Sequence, residues 1–519
     1  MAENSKDNVF ESGGRTGREA RGGETRSGEM RGGEAPGRTT GGTQRPDVGS
    51  GAPLRPRPTV LRNPVTIIVL VVLFALGVFH WTWFINYGDV TFRMHDWGQE
   101  HVYYSVIRQG INTGSIPFHM SKRFHQTDRF MSIPDTNFMP WVLLLPAMSV
   151  GDFILLDLII LYTLGFAGCL LLLRKYGLSL LAFAFFFLVF NFNGHIVAHI
   201  SVGHTAWSGY FLLPFFFYFL FEMLEGRSTR ITPLKIAFIL FAMMLKGSFH
   251  LYTWCIMFLV LLFIFNWKHA RTVLFAIAAS VLMSLFKVLP AAYSLLGREE
   301  KFIWSYPTIR DLLDAMITIR LETPERWQFW GNAGWWEFDI YVGLAGLAVL
   351  LYFGILLRFS RSDDLKDLQY GAMDLPVFVM TLLSLSYFHP SLTRIPFALL
   401  RSERVATRFI LLPVITLALL SSLRLNRLLR RGGHSLRVLV IGIGTLAVMA
   451  LAFLDHSFLW SVRHLEQVAQ LKGVPPVPGL ITREDPGYKL IVVVSIAVTI
   501  ASLIALAYMM LRPRLRKTG

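Results

Sequence analysis

Cysteine is almost absent from this chain: there are two in 519 residues, with no CxxC pair and no basis for a disulfide framework. Cys169 and Cys255 both fall in apolar runs, where a thiol packs as a small hydrophobe. Charge is scarce too. Asp, Glu, Lys and Arg make up 16% of residues, against about 25% in soluble globular chains. A string of soluble domains is thereby excluded. A disordered or fibrous chain is excluded by the opposite measure, since apolar residues reach 53% and mean hydropathy is +0.48. The net charge of +16 would suggest nucleic acid in a soluble protein. Here the basic residues sit where membrane topology wants them, so no nucleic-acid partner is expected.

What the chain does have is apolar length. A run at 65–84 is followed by others near 152–173, 179–191, 208–224, 233–249, 251–266 and 272–293. Five more lie near 340–358, 373–388, 408–422, 436–455 and 489–511. At about 20 residues per crossing, these predict an all-α fold, a polytopic transmembrane helical bundle of about 12 spans. The run at 138–149 is too short to span and is expected half-buried at the interface. Residues 1–62 differ in kind. They are built from Gly, Arg, Glu and Thr, cannot bury a core, and read as a disordered cytoplasmic tail ahead of a 63–519 membrane domain.

Lys and Arg collect in cytoplasmic loops. Here they follow every second run: Arg174 and Lys175, then Arg227 and Arg230, Lys268 and Arg271, Arg358 and Arg361, Arg424 to Arg431, and Arg512 to Lys517. Both termini are therefore expected in the cytoplasm. The intervening loops, 85–137, 294–339, 386–407 and 456–488, are long and rich in aromatic, His and Pro residues. They are expected outside, with short interfacial helices and the functional groups.

The first outer loop carries Asp96, with Gln99 three residues later and Val102, Tyr103, Val106 and Ile107 at helical spacing. Asp96 can be an N-cap with Gln99 reaching back. It can equally be a carboxylate held at a helix start as a general base for an acceptor hydroxyl.

From this loop onward the chain resembles the GT-C superfamily of membrane glycosyltransferases. The resemblance runs from Asp96 in "MHDW" through "GSIPF" (114–118), "FMPWVLLLP" (138–146) and "LLRKYGLS" (172–179). It continues in "FNFNGHIVAHISVGH" (190–204), "GYFLLPFFF" (209–217), "WWEFDIYVGLAGL" (335–347) and "LRSERVATRFILLP" (400–413). It implies a GT-C-type fold in a cell membrane, a bacterial inner membrane. The implied reaction moves a sugar from a polyprenyl-phosphate donor to an acceptor hydroxyl of a cell-envelope glycan, lipid or protein, on the extracytoplasmic side. Asp96 matches the catalytic base, and a second acid is sought among Glu100, Asp128 and Asp135. With a lipid monophosphate donor no metal or other cofactor is implied.

Three further clusters face the same side. His195, His199 and His204 interrupt two apolar runs, the first two at the i, i+4 spacing of one helix face. Without an HExxH signature they read as water-facing polar residues or as hydrogen-bonding partners of sugar or phosphate. Arg401, Arg404 and Arg408 form one stripe, either snorkelling to headgroups or clamping the donor phosphate. Trp327, Trp330, Trp335 and Trp336 sit near Glu337 and Asp339, as an interfacial belt or as a sugar platform. His95, Glu100, Trp336 and Glu337 complete the expected substrate pocket with the three histidines. Lys246 and Lys287 are expected to snorkel, as secondary phosphate candidates.

The rival class is a multi-span transporter or lipid flippase for glycan or lipid-linked intermediates, and a non-catalytic scaffold is a third possibility. Transporters tend to show repeated halves and mid-span charges. This chain has no obvious repeat and few such charges, and its long outer loops suit an enzyme.

Overall fold

The computed structural model describes residues 63–124, 127–264, 266–295, 304–319, 334–360, 368–388, 403, 405–431 and 436–515. The tail at 1–62 lies outside the described residues, as do Arg401, Arg404, Trp327 and Trp330. The chain is a helical bundle. Its helices are α1 (Pro64–Phe84), α2 (Trp97–Thr113), α3 (Val150–Tyr176), α4 (Leu180–Phe192), α5 (Gly194–Ser201) and α6 (Leu213–Leu224). Next come α7 (Thr232–Lys246), α8 (Phe249–Ile264), α9 (Ala270–Met283), α10 (Leu285–Leu295), α11 (Ile309–Ile317) and α12 (Gly343–Val349). The last are α13 (Asp374–Leu383), α14 (Leu411–Arg431), α15 (Leu436–Trp460), α16 (Val462–Val468) and α17 (Pro486–Leu515).

Seven segments among the described residues are long and apolar enough to cross a membrane, from Pro64–Phe84 to Pro486–Met510. They match seven of the twelve apolar runs. The other five form shorter or bent helices: α7, the pair Phe249–Ile264 and Trp267–Met283 bent by 116°, and the segments Gly343–Phe359 and Tyr370–Leu383. Small polar residues set the ends. Asn63, Ser149, Ser179 and Asn193 accept backbone N–H bonds as N-caps of α1, α3, α4 and α5. Cys169 and Cys255 are buried.

One small sheet departs from an all-helical chain. Strands β1 (His119–Phe124), β2 (Thr127–Arg129) and β3 (Leu480–Ile481) pair antiparallel in the order β2–β1–β3. It ties the loop after α2 to the loop before α17. The expected short helices are there too: α2, α11 and α16 lie in the loops at 85–137, 294–339 and 456–488. The 138–149 run is a 3-10 helix, Pro140–Ala147, with Val142 and Leu145 buried and Leu143 and Leu144 exposed.

Two lysines correct an expectation. Lys246 and Lys287 do not snorkel; both are buried. Lys246 pairs with Asp157 at 2.7 Å. Lys287 donates to the Pro134 carbonyl at 2.8 Å, the Thr136 hydroxyl at 2.7 Å and the Thr136 carbonyl. A buried ammonium needs such partners, because nothing else replaces its hydration.

Candidate functional site

Helix α2 is held at both ends. Arg108 donates to the carbonyls of Leu145 and Met148 at 3.2 and 2.6 Å. At the start, the Asp96 N–H donates to Val202 at 3.0 Å and the Trp97 indole to Ser201 at 2.8 Å. Gly203, at φ +94°, makes that approach possible: a Cβ there would collide with the Trp97 backbone. The turn that carries His204 is thereby seated on the turn that carries Asp96.

Asp96 occupies the N-cap position, but its side chain caps nothing. Its Oδ2 accepts from His204 Nε2 at 2.7 Å and its Oδ1 from Gln99 at 2.7 Å. The capping-box reading is corrected: Gln99 reaches the carboxylate rather than the backbone. With its side chain 43% exposed, Asp96 stands at a cavity mouth.

His204 Nδ1 lies 2.7 Å from His199 Nδ1. Two bare nitrogens cannot approach so closely, so one proton lies between them. Since Nε2 of His204 must donate to the carboxylate, a neutral His204 accepts at Nδ1 and His199 donates. His199 Nε2 is then bare, 3.9 Å from Glu337 Oε2. His195 and His199 share a face of α5, their rings 4.4 Å apart. Both are buried, 2% and 0% exposed. They stand behind the cavity wall rather than in it, because Trp207 stacks flat on His199 at 4.3 Å. Of the three histidines only His204 lines the cavity.

The far wall is a closed charge network. Arg408 gives Glu337 two bonds, from Nε at 2.8 Å and Nη2 at 2.7 Å, and a third to Glu403 at 3.4 Å. Glu403 also accepts from His250 at 2.7 Å, the Trp254 indole at 3.2 Å and the Val405 N–H at 3.1 Å. Burial alone would raise the Glu403 carboxyl, but His250, Arg408 and the Val405 N–H hold it down at about 2. Arg408 faces the cavity. Its planar fork, the feature that would clamp a phosphate, is already engaged by Glu337. The snorkelling alternative is corrected for this residue, whose side chain is 6% exposed.

The cavity between the two walls has a volume of about 90 Å³. Glu100 lines it from α2, 6% exposed, with the Thr205 hydroxyl donating to Oε2 at 2.6 Å. Burial pushes the Glu100 carboxyl up to about 8; Asp135 and Asp96 push the same way, while Thr205 and Lys246 oppose them. His95 and Trp336 do not line this space. They pack edge-on to each other at 4.7 Å, and burial lowers the His95 imidazole to about 4. Glu337 is buried behind Arg408. Of the other acids, Asp135 lines the cavity, and Asp128 pairs with Arg483 at 2.6 Å outside it. Among the described residues no group of three or more His, Cys, Asp or Glu is placed to hold a metal ion.

Sequence reasoning missed His250, Trp207 and Lys246–Asp157. The available signal was weak: His250, Trp207 and Lys246 are polar or aromatic residues near the ends of apolar runs, and Asp157 is a lone acid within one. A second cavity, about 1140 Å³ and almost wholly apolar, lies beside the first. Ile107 and Trp141 line it, with Leu143, Phe238 and Ile500, which are exposed at 68%, 46% and 51%. The segment at 135–138 is a shared wall: Asp135 faces the polar cavity and Phe138 the apolar one. Compared with family models, curated proteins and solved structures, the chain matches none.

Proposed function

We propose that this chain is a membrane glycosyltransferase of GT-C type. It moves a sugar from a polyprenyl-phosphate donor to an acceptor hydroxyl of a glycan, lipid or protein. In this reading the shorter helices complete about twelve crossings of a cell membrane. Both termini are cytoplasmic, and the end carrying Asp96 is extracytoplasmic. One observation carries the proposal: a half-exposed carboxylate, oriented by His204 and Gln99, at the mouth of a polar cavity that shares a wall with a large apolar one. The apolar cavity suits an isoprenoid chain, and the shared wall would bring its phosphate-linked sugar beside Asp96.

The acceptor oxygen attacks the anomeric carbon as the bond from that carbon to the phosphate oxygen breaks. The bonding pair leaves with the lipid phosphate, and the acceptor proton passes to Asp96. Arg401 and Arg404 remain the proposed phosphate contacts, since the Arg408 fork is held by Glu337. The test is transfer of labelled sugar from polyprenyl-phosphate donors by purified protein. Asp96→Asn should lower the rate by about 10²–10⁴, the usual worth of a general base. A well-folded Asp96→Asn protein with normal turnover rejects the assignment.

A further inference from the structure

Three carboxyl groups face the small polar cavity: Asp96, Glu100 and Asp135. Among the described residues, the cations around it are committed elsewhere. Arg408 is bound to Glu337 and Glu403, and Lys246, whose charge acts on Glu100, is paired with Asp157 at 2.7 Å. The imidazoles are committed as well, His204 to Asp96 and His199, and His250 to Glu403. Tyr103 and Tyr104, on Glu100's own helix, bring hydroxyls and no charge. Glu100 therefore has a single described partner, the neutral Thr205 hydroxyl on Oε2. Among the described residues no hydrogen bond engages its Oε1, and the side chain lines the cavity.

A carboxylate so placed would be an anion with no described cation bonded to it, out of water, beside two further carboxyl groups. Burying an unpaired charge costs several kcal/mol, and the usual escape is to bind a proton. We propose that Glu100 keeps a proton on Oε1 at neutral pH and donates it as a hydrogen bond to a phosphate oxygen of the donor, one helical turn from Asp96. The proposal deepens the glycosyl-transfer reading and rests on it. Its titration near 8 agrees with the geometry. The helix thus presents two carboxyl groups in different states on one face: Asp96, outward and hydrogen-bonded by His204 and Gln99, accepts a proton, while Glu100, inward, lends one. Glu100 gives up no atom. Its O–H bond persists while the phosphate oxygen gains charge, so the hydrogen bond strengthens along the reaction. An ionised Glu100 would repel the same phosphate.

The experiment combines a pH–rate profile with infrared difference spectroscopy of wild-type protein and Glu100 variants. Wild-type transfer should fall as pH rises through about 8. Glu100→Gln, still a neutral donor, should lose about tenfold in rate and lose that alkaline limb. Glu100→Leu, with no donor, should lose about 10²-fold or more, as for a missing oxyanion donor. A carboxylic-acid C=O band present at neutral pH and absent from Glu100→Gln supports the proton even if the donor class proves wrong. Absence of that band, an unmoved alkaline limb in Glu100→Gln, or a Gln variant as inactive as Asp96→Asn overturns the proposal. Wild-type protein that keeps the band but transfers no sugar overturns the glycosyl-transfer reading instead, and with it the phosphate as the oxygen served.

Discussion

The two walls of the polar cavity treat buried acids in opposite ways. On the Arg408 side, Glu403 and Glu337 share a guanidinium, and Glu403 adds an imidazole, an indole and a backbone N–H. On the α2 side, Glu100 is nearly as buried and has one hydroxyl. Glu403 sits at about 2 and Glu100 at about 8. Burial raises both; the difference comes from the partners. A wall whose charges are cancelled by its own side chains is a scaffold. A wall whose buried Glu100 has no described cation bonded to it can keep a proton, and the chemistry is expected there.

The largest effect should come from breaking the cancelled wall. Arg408→Ala would leave Glu337 and Glu403 buried without their guanidinium, at a cost of about 3–5 kcal/mol. Unfolding of the purified protein in detergent would read it. Arg408→Lys should recover only part, lacking the planar fork. A normally stable Arg408→Ala protein with a raised donor KM would make this residue a phosphate clamp after all.

The two glutamates also predict opposite responses to pH. Glu403 is held below its ordinary 4.5, so its stabilisation is present above that value and fades as pH falls toward about 2. Glu100 is raised above 4.5, so the folded chain holds a proton that the unfolded chain releases. Stability from this group therefore declines as pH rises from about 4.5 to about 8 and then levels off. Thermal midpoints across this range should show both slopes. Glu100→Gln should flatten the upper one and leave the lower unchanged; equal slopes in the two proteins would show that the walls do not differ in this way.

Smaller effects concern the orientation of Asp96. His204→Ala removes one charge-assisted bond and should lower transfer about 10- to 100-fold, the rate equivalent of about 1.5–3 kcal/mol. If the change falls on donor KM alone, His204 binds substrate rather than positioning the base. Gln99→Ala, which removes a single amide donor, should cost only a few-fold in rate, within about 1 kcal/mol. A Gln99 effect larger than that of His204 would reverse the order of these two supports.

Much of the fold could be read in the sequence. The apolar runs, the short helices in the long loops and the starts of α3, α4 and α5 at Ser149, Ser179 and Asn193 follow from local rules, since apolar length and cap chemistry act between near neighbours. The polar residues around the cavity were legible as residue types: Asp96, Glu100, His204 and Glu337 all stood out. Their roles were less so. Asp96 looked like a cap and is not one, because a histidine 108 residues later offers its carboxylate a better partner. His195 and His199 looked like pocket residues and are walled off by Trp207.

By itself the sequence determined a helical chain with apolar runs long enough to cross a membrane. Burial of apolar surface and satisfaction of the backbone demand that much of any chain with these runs. Only the tertiary structure decided which charges cancel and which do not. The pairing of Arg408 with Glu337, of Lys246 with Asp157, and the isolation of Glu100 each join residues about 70 to 105 positions apart. No local pattern encodes such distances; they are set by how α2, the turn after α5, the start of α8 and the segment before α14 pack around one cavity. There the low dielectric turns a difference of one partner into a difference of protonation state.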